Sequence, residues 1–235
     1  MSSNLNGLVV AVTGAFGTLG MAVAQAAAER GAKVVMIDHA HEPAVHLPPS
    51  LADALQLGGM DLTSYDLAQS ATAAIREKFG RLDALVNIAG GFRWETLADG
   101  DLASWDFLYN INLRTTATMS KAALPLLTQG THGRIVNIGA GAALKAGMGM
   151  GAYAASKAGV ARLTESLAEE LKDTGVTVNA VLPSIIDTLQ NRADMPDADF
   201  SRWVSPAELA AVILFLLSAE ASAVTGALIP VSGRV

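Results

Sequence analysis

The sequence predicts an α/β fold, a single-domain, doubly wound parallel sheet of the Rossmann type with about seven strands and helices on both faces. Three observations predict it. Short β-branched runs alternate with longer, Ala-rich segments of helical period. The strand runs read apolar throughout, which implies burial on both faces of a sheet. Strict alternation of strand and helix then implies parallel strands joined by right-handed crossovers.

The first strand is expected over residues 8–13, and a glycine-rich turn carries it into a helix over 18–30. A second β-branched run covers 33–38 and a third, shorter one 54–57, followed by a helix over 64–79. Residues 84–87 form the fourth strand, and the helical period then runs unbroken over 102–127. A fifth strand at 134–138 precedes a helix over 151–172, and a sixth strand lies at 177–182. The last helix, 205–218, has a clear start: Ser205 can cap, Pro206 takes the first helical position and Glu208 completes a capping box. A final strand lies at 227–231. No repeat of solenoid period and no low-complexity linker divides the chain, so residues 1–235 are read as one domain. The two longest irregular stretches are 39–50 and 183–204, and the second is long enough to serve as a substrate loop or lid.

Apolar residues make up 51% of the chain and charged residues 16%, enough to bury a large core. The net charge is -6 and no basic run or Lys/Arg-rich helix face occurs, so neither nucleic acid nor a membrane is an expected partner. There is no cysteine, which excludes disulfides, thiolate nucleophiles and cysteine-based metal sites. Residues 1–7 carry no basic signal region, and the longest apolar run, 209–217, is far short of the roughly 18 residues a membrane span needs. The expected location is the cytoplasm. His39, His41 and His46 share a loop with Glu42, but their irregular spacing reads as a solvated loop and no metal is expected.

The first strand ends in Thr13-Gly14-Ala15-Phe16-Gly17-Thr18-Leu19-Gly20, just before a helix. Glycines there permit a tight turn and a close backbone approach, and a helix N-terminus offers free N–H groups to a pyrophosphate. The second strand ends in Asp38, whose carboxylate can accept both ribose hydroxyls of an adenosine and repels a 2′-phosphate. That favours NAD(H). NADP(H) stays open, because His39 and His41 follow at once and a protonated imidazole tolerates a phosphate. The spacing is G-x-x-G-x-x-G rather than G-x-G-x-x-G, so the turn alone is a weak signal.

Tyr153 and Lys157 are four apart on the expected helix 151–172 and share one face. An ammonium beside a phenol favours the phenolate, which can make a tyrosine an acid/base group at neutral pH. The spacing by itself fits better a half-buried tyrosine next to an ordinary surface lysine, since such pairs are common on helices.

Taken together, these residues resemble the short-chain dehydrogenase/reductases over essentially the whole chain. The likeness rests on the Thr13–Gly20 turn, Asp61-Leu62, Leu85-Val86-Asn87-Ile88-Ala89-Gly90, Asn112-Leu113, Gly133 to Ile138, Tyr153-x-x-x-Lys157, Val178 to Pro183, Thr188 and Thr225-Gly226-Ala227. The resemblance implies that Tyr153 is the acid/base, that Lys157 holds the ribose and tunes it, and that Asn112 keeps a proton-relay water. It implies that Asp61 and Leu62 flank the adenine, that Asn87, Ala89 and Gly90 run behind the cofactor, and that Pro183, Ile186 and Thr188 border the nicotinamide. It also implies a homodimer or homotetramer acting on a small molecule.

Three positions depart from the family pattern. The substrate-polarising serine is expected thirteen residues before the tyrosine, where this chain has Ala140. Ile88 stands for a second asparagine, and Ser184 for the glycine after Pro183. The stretch 139–144 and the segment containing Asp187-Thr188, Asn191-Arg192 and Met195 to Trp203 are similar to the dihydropteridine reductases, which also lack the serine. This implies reduction of a planar quinonoid or imine substrate, with Tyr153 as sole proton donor. Phe92 and Trp203, on loops beyond strand ends, either stack on such a substrate or pack their loops onto the core. Two alternatives stand beside that reading: a general short-chain alcohol dehydrogenase or ketone reductase, and a nicotinamide-binding sensor without turnover.

Overall fold

The computed structural model describes residues 4–130 and 132–235. Strands β1 (Val9–Thr13), β2 (Lys33–Ile37), β3 (Leu55–Leu57), β4 (Ala84–Asn87), β5 (Arg134–Ile138), β6 (Thr177–Pro183) and β7 (Leu228–Val231) form one sheet. Every pairing is parallel, and the spatial order is β3-β2-β1-β4-β5-β6-β7. The helices are α1 (Thr18–Ala28), α2 (Tyr65–Phe79), α3 (Leu102–Leu108), α4 (Thr115–Leu127), α5 (Gly151–Glu170), α6 (Leu189–Asp194) and α7 (Pro206–Leu217).

The apolar strands feed two cores because successive side chains point to opposite faces. Val10, Val12, Met36, Val86 and Val181 pack under α1 and α7. Val9, Ala11, Ile37, Leu85 and Ile135 pack under α2, α4 and α5. Truncating a fully buried member such as Ile135 to alanine costs about 2–5 kcal/mol. The capping box at the start of α7 forms as its residues require: the Glu208 N–H donates to Ser205 Oγ at 3.2 Å, and the Ser205 N–H to Glu208 Oε2 at 2.9 Å.

Two expectations are corrected. The single helix over 102–127 is interrupted by a π-helical turn, Tyr109–Arg114, between α3 and α4. A π-turn adds one residue to the helical ladder and re-aims the side chains within it. The segment 183–204 is not irregular throughout. It holds α6 and a short turn, Phe200–Arg202, and its two ends are stitched by a parallel bridge between Ile186 and Val204. Among the described residues, no helix is long and apolar enough to cross a membrane.

Candidate active site

From β1 the chain winds outward through β2 to β3, then returns to place β4 on the other side of β1. A crevice opens beyond the carboxyl ends of β1 and β4, the place where such sheets bind ligands. Here it is a cleft of about 620 Å³. The glycine turn and the start of α1 form its floor, with Asp38, His39, Asp61 and Leu62 at one end. Ile88, Ala89 and Gly90 form its back, Phe107 and Ile111 one flank, and Thr188 and Gln190 reach it from the segment 183–204.

The residues fit a dinucleotide. Gly14 has φ +62°, and a Cβ there would lie 2.9 Å from the Ala89 nitrogen. A Cβ on Gly20 would lie 2.0 Å from the Gly14 carbonyl oxygen, so α1 can start this close to the turn only without one. The helix begins at Gly17 with no side-chain cap and no acidic residue in its first turn, which leaves its leading N–H groups for an anion. Asp38 Oδ2 accepts the Phe16 N–H at 2.9 Å and Oδ1 the Ala40 N–H at 3.0 Å, which fixes the carboxylate at the cleft edge. Asp61 is held the same way by Thr63, whose hydroxyl and N–H donate to Oδ1 and keep its carboxyl below the usual range.

Several of the expected cofactor residues also make structural contacts. Phe16 gives its N–H to Asp38 and packs its ring on the core beneath α1 and α7, and so helps shape the turn. Asn87 is buried behind the cleft, its amide donating to Ser120 Oγ and Asn137 Oδ1. Thr188 caps α6 through the Asn191 N–H, and Ile186 accepts from the Asn191 side chain. Pro183 closes β6 and is buried.

The π-turn places Asn112 where two segments meet. Its Oδ1 accepts the Gly91 N–H at 2.9 Å, while its Nδ2 donates to the Gly91 carbonyl and to Ser156 Oγ, both at 3.0 Å. The Ser156 hydroxyl in turn donates to the Tyr153 carbonyl at 2.7 Å. Lys157 is buried one turn further along α5 and donates from Nζ to the Ile138 carbonyl at 2.8 Å. A Cβ on Gly90 would come within 3.5 Å of that nitrogen, so the ammonium stands directly behind the cleft wall.

Burial pulls the Lys157 ammonium down to about 8 and pushes the Tyr153 phenol up to about 12. Desolvation raises the phenol, and the ammonium's hydrogen bond goes to the Ile138 carbonyl. At neutral pH the phenol is therefore a loaded proton donor.

Around it, Phe92 meets the Tyr153 ring edge to face, centroids 4.9 Å apart at 85°. Ala140 is buried and supplies no hydroxyl, while Ser156 Oγ is already engaged with Tyr153 and Asn112. Trp203 is corrected as a substrate platform: it is only 7% exposed and packs on Phe200, 4.8 Å between centroids, pinning the segment 183–204. Phe107, Ile111 and Gln190 line the cleft without having been singled out, because nothing in their type or spacing separates them from ordinary helix residues.

A half-buried phenol one helical turn from a buried ammonium, beside a dinucleotide cleft, defines a nicotinamide-dependent oxidoreductase. The chain belongs to the short-chain dehydrogenase family, whose model matches residues 8–198. It is 34% identical over 238 residues to a 3-oxoacyl-[acyl-carrier-protein] reductase, FabG, of Vibrio cholerae, covering 98% of both chains. Its fold matches the crystal structure of gox2181 with a TM-score of 0.91 at 31% identity, over 98% of this chain and 96% of that one. It matches carveol dehydrogenase from Mycobacterium avium in complex with NAD with a TM-score of 0.86 at 28% identity, over 99% and 98%. None of these three relatives is named a dihydropteridine reductase. They back the ketone reductase or alcohol dehydrogenase alternative over the dihydropteridine-reductase likeness.

Proposed function

We propose that the protein transfers a hydride between NAD(H) and a small carbonyl/alcohol pair, with the Tyr153 phenol as proton donor to the carbonyl oxygen. The observation that carries this reading is the half-buried Tyr153 phenol at the cleft, one helical turn from a buried lysine that backs the cleft wall. A bound nicotinamide would supply or accept the hydride. Tyr153 holds the proton that the substrate oxygen takes as it gains charge. Lys157 keeps a positive charge behind Gly90, which favours that proton's release. Asn112 ties the Gly91 backbone to Ser156 and so holds the two sides of the site in register. Asp38, with both oxygens at the cleft edge, favours NAD(H) over NADP(H). The reading includes a cytoplasmic protein that assembles as a homodimer or homotetramer.

Ala140 supports a second reading. A ketone oxygen here lacks the donor a serine would give, which typically lowers rate about 10²-fold or more. A quinonoid dihydropterin or similar imine is electrophilic enough to need only Tyr153. The experiment is a panel of ketones and 3-oxoacyl thioesters set against quinonoid dihydropterin, with NADH and NADPH, for wild type and Ala140→Ser. The proposed reading expects ketone turnover with a clear NADH advantage, raised at least about tenfold by the serine. Pterin turnover alone, untouched by Ala140→Ser, would establish the second reading instead.

A further inference from the structure

We propose that Phe92 is a positioning residue for Tyr153: its ring closes over the phenol, holds it in one orientation and keeps bulk water away from it. This rests on the reading of Tyr153 as proton donor. Phe92 is 55% exposed and belongs to neither core layer, so the packing of the fold does not explain where its ring lies. What sets it is the loop after β4, tied down on both sides of it. The Asn112 side chain grips Gly91 at both its N–H and its carbonyl. The Arg93 guanidinium lies 4.1 Å over the Phe107 ring and donates to Ser104 Oγ at 3.1 Å.

The same loop is docked onto the residues that lead into α5. The Trp94 indole sits on Gly149, where a Cβ would fall 2.2 Å from the ring, and the Glu95 N–H donates to the Gly149 carbonyl at 2.8 Å. Gly149 has φ +73°, a backbone state that suits glycine, and it stands four residues before Tyr153. Loop and helix start are thus tied together, and Phe92 is the residue of this loop that lies against the phenol ring. A phenol covered by hydrocarbon resists ionisation, because the charged form loses its hydration. The cover keeps the proton on Tyr153 until a substrate oxygen, arriving from the side Phe92 leaves open, takes it. Burial does push this phenol upward, in keeping with that cover.

The test is nitration by tetranitromethane at mildly alkaline pH, read tyrosine by tyrosine through peptide mass spectrometry. The reagent attacks accessible phenolate, and the exposed Tyr65 and Tyr109 serve as internal controls. Tyr153 is expected to react at least about tenfold more slowly than Tyr109 in the wild type. Phe92→Ala should raise the Tyr153 rate about tenfold and leave both controls unchanged. Phe92→Leu, which restores a hydrocarbon cover, should return most of the protection, while Phe92→Ser should not. In the reductase assay Phe92→Ala should lower kcat more than it raises KM. An unchanged Tyr153 rate in Phe92→Ala overturns the proposal. So does a rate that rises in step with the controls, or protection restored no better by leucine than by serine. The nitration needs no substrate: inactivity on the whole panel with Tyr153 still protected would count against the functional reading and leave the role of Phe92 standing.

Discussion

Replacing Lys157 with methionine should stabilise the protein at neutral pH by about 2 kcal/mol. Lys157 is 5% exposed, and burial pulls its ammonium from the ordinary 10.5 down to about 8. A displacement of that size corresponds to about 3 kcal/mol against the charged form inside the fold. Methionine is of similar length and carries no charge, but it leaves the Ile138 carbonyl without its 2.8 Å donor. That loss returns about 1 kcal/mol, hence the net figure of about 2. Below about pH 8 the folded and unfolded chains both bind the proton, so the penalty is constant there. Between about 8 and 10.5 the unfolded chain keeps a proton that the folded chain gives up, so the wild type gains stability as pH rises. The advantage of the variant should therefore close by about pH 10.5. Urea unfolding of both proteins, without nucleotide, at about pH 7 and about pH 10 measures this directly. A variant no more stable than wild type at neutral pH, or an advantage that does not shrink with pH, would refute the reasoning. A buried charge kept at such a cost is the mark of a group retained for activity rather than stability.

The same lysine sets the pH dependence of reduction. The kcat/KM should hold across neutral pH and fall as pH rises through about 8, where the ammonium loses its charge, while the phenol at about 12 stays protonated throughout; a rate profile over that range checks it. Gly20→Ala should destabilise the protein by at least about 1–3 kcal/mol and weaken NADH binding, because its Cβ would meet the Gly14 oxygen at 2.0 Å. Thermal melting and NADH fluorescence titration read the two effects.

Much of this architecture was legible because it rests on local rules. Residues 205–208 spell a capping box, and one forms. The apolar strand runs and their alternation with helices led to a parallel sheet, and all pairings are parallel. The glycines at 14 and 20 stand where no Cβ fits. The π-turn was hidden because residues 109–114 keep the apolar period of a helix, and a single extra residue in the ladder leaves no mark on residue type. Trp203 shows another limit. An aromatic on a loop reads the same whether it faces a ligand or pins the loop down, and here Phe200 and the Ile186–Val204 bridge decide for pinning. The ionisation of Tyr153 shows a similar limit: helical spacing puts Lys157 near it, but only the structure shows that the ammonium donates to the Ile138 carbonyl and that burial raises the phenol.

Proton donation by one phenol is open to a direct measurement, single-turnover and steady-state reduction by Tyr153→Phe with NADH at neutral pH. The account predicts a fall in kcat of about 10²–10⁴-fold with NADH binding unchanged, since only the hydroxyl is removed from a ring that stays packed against Phe92. A variant that keeps wild-type turnover would contradict it, and would leave the cleft as a nicotinamide-binding site whose chemistry, if any, lies elsewhere.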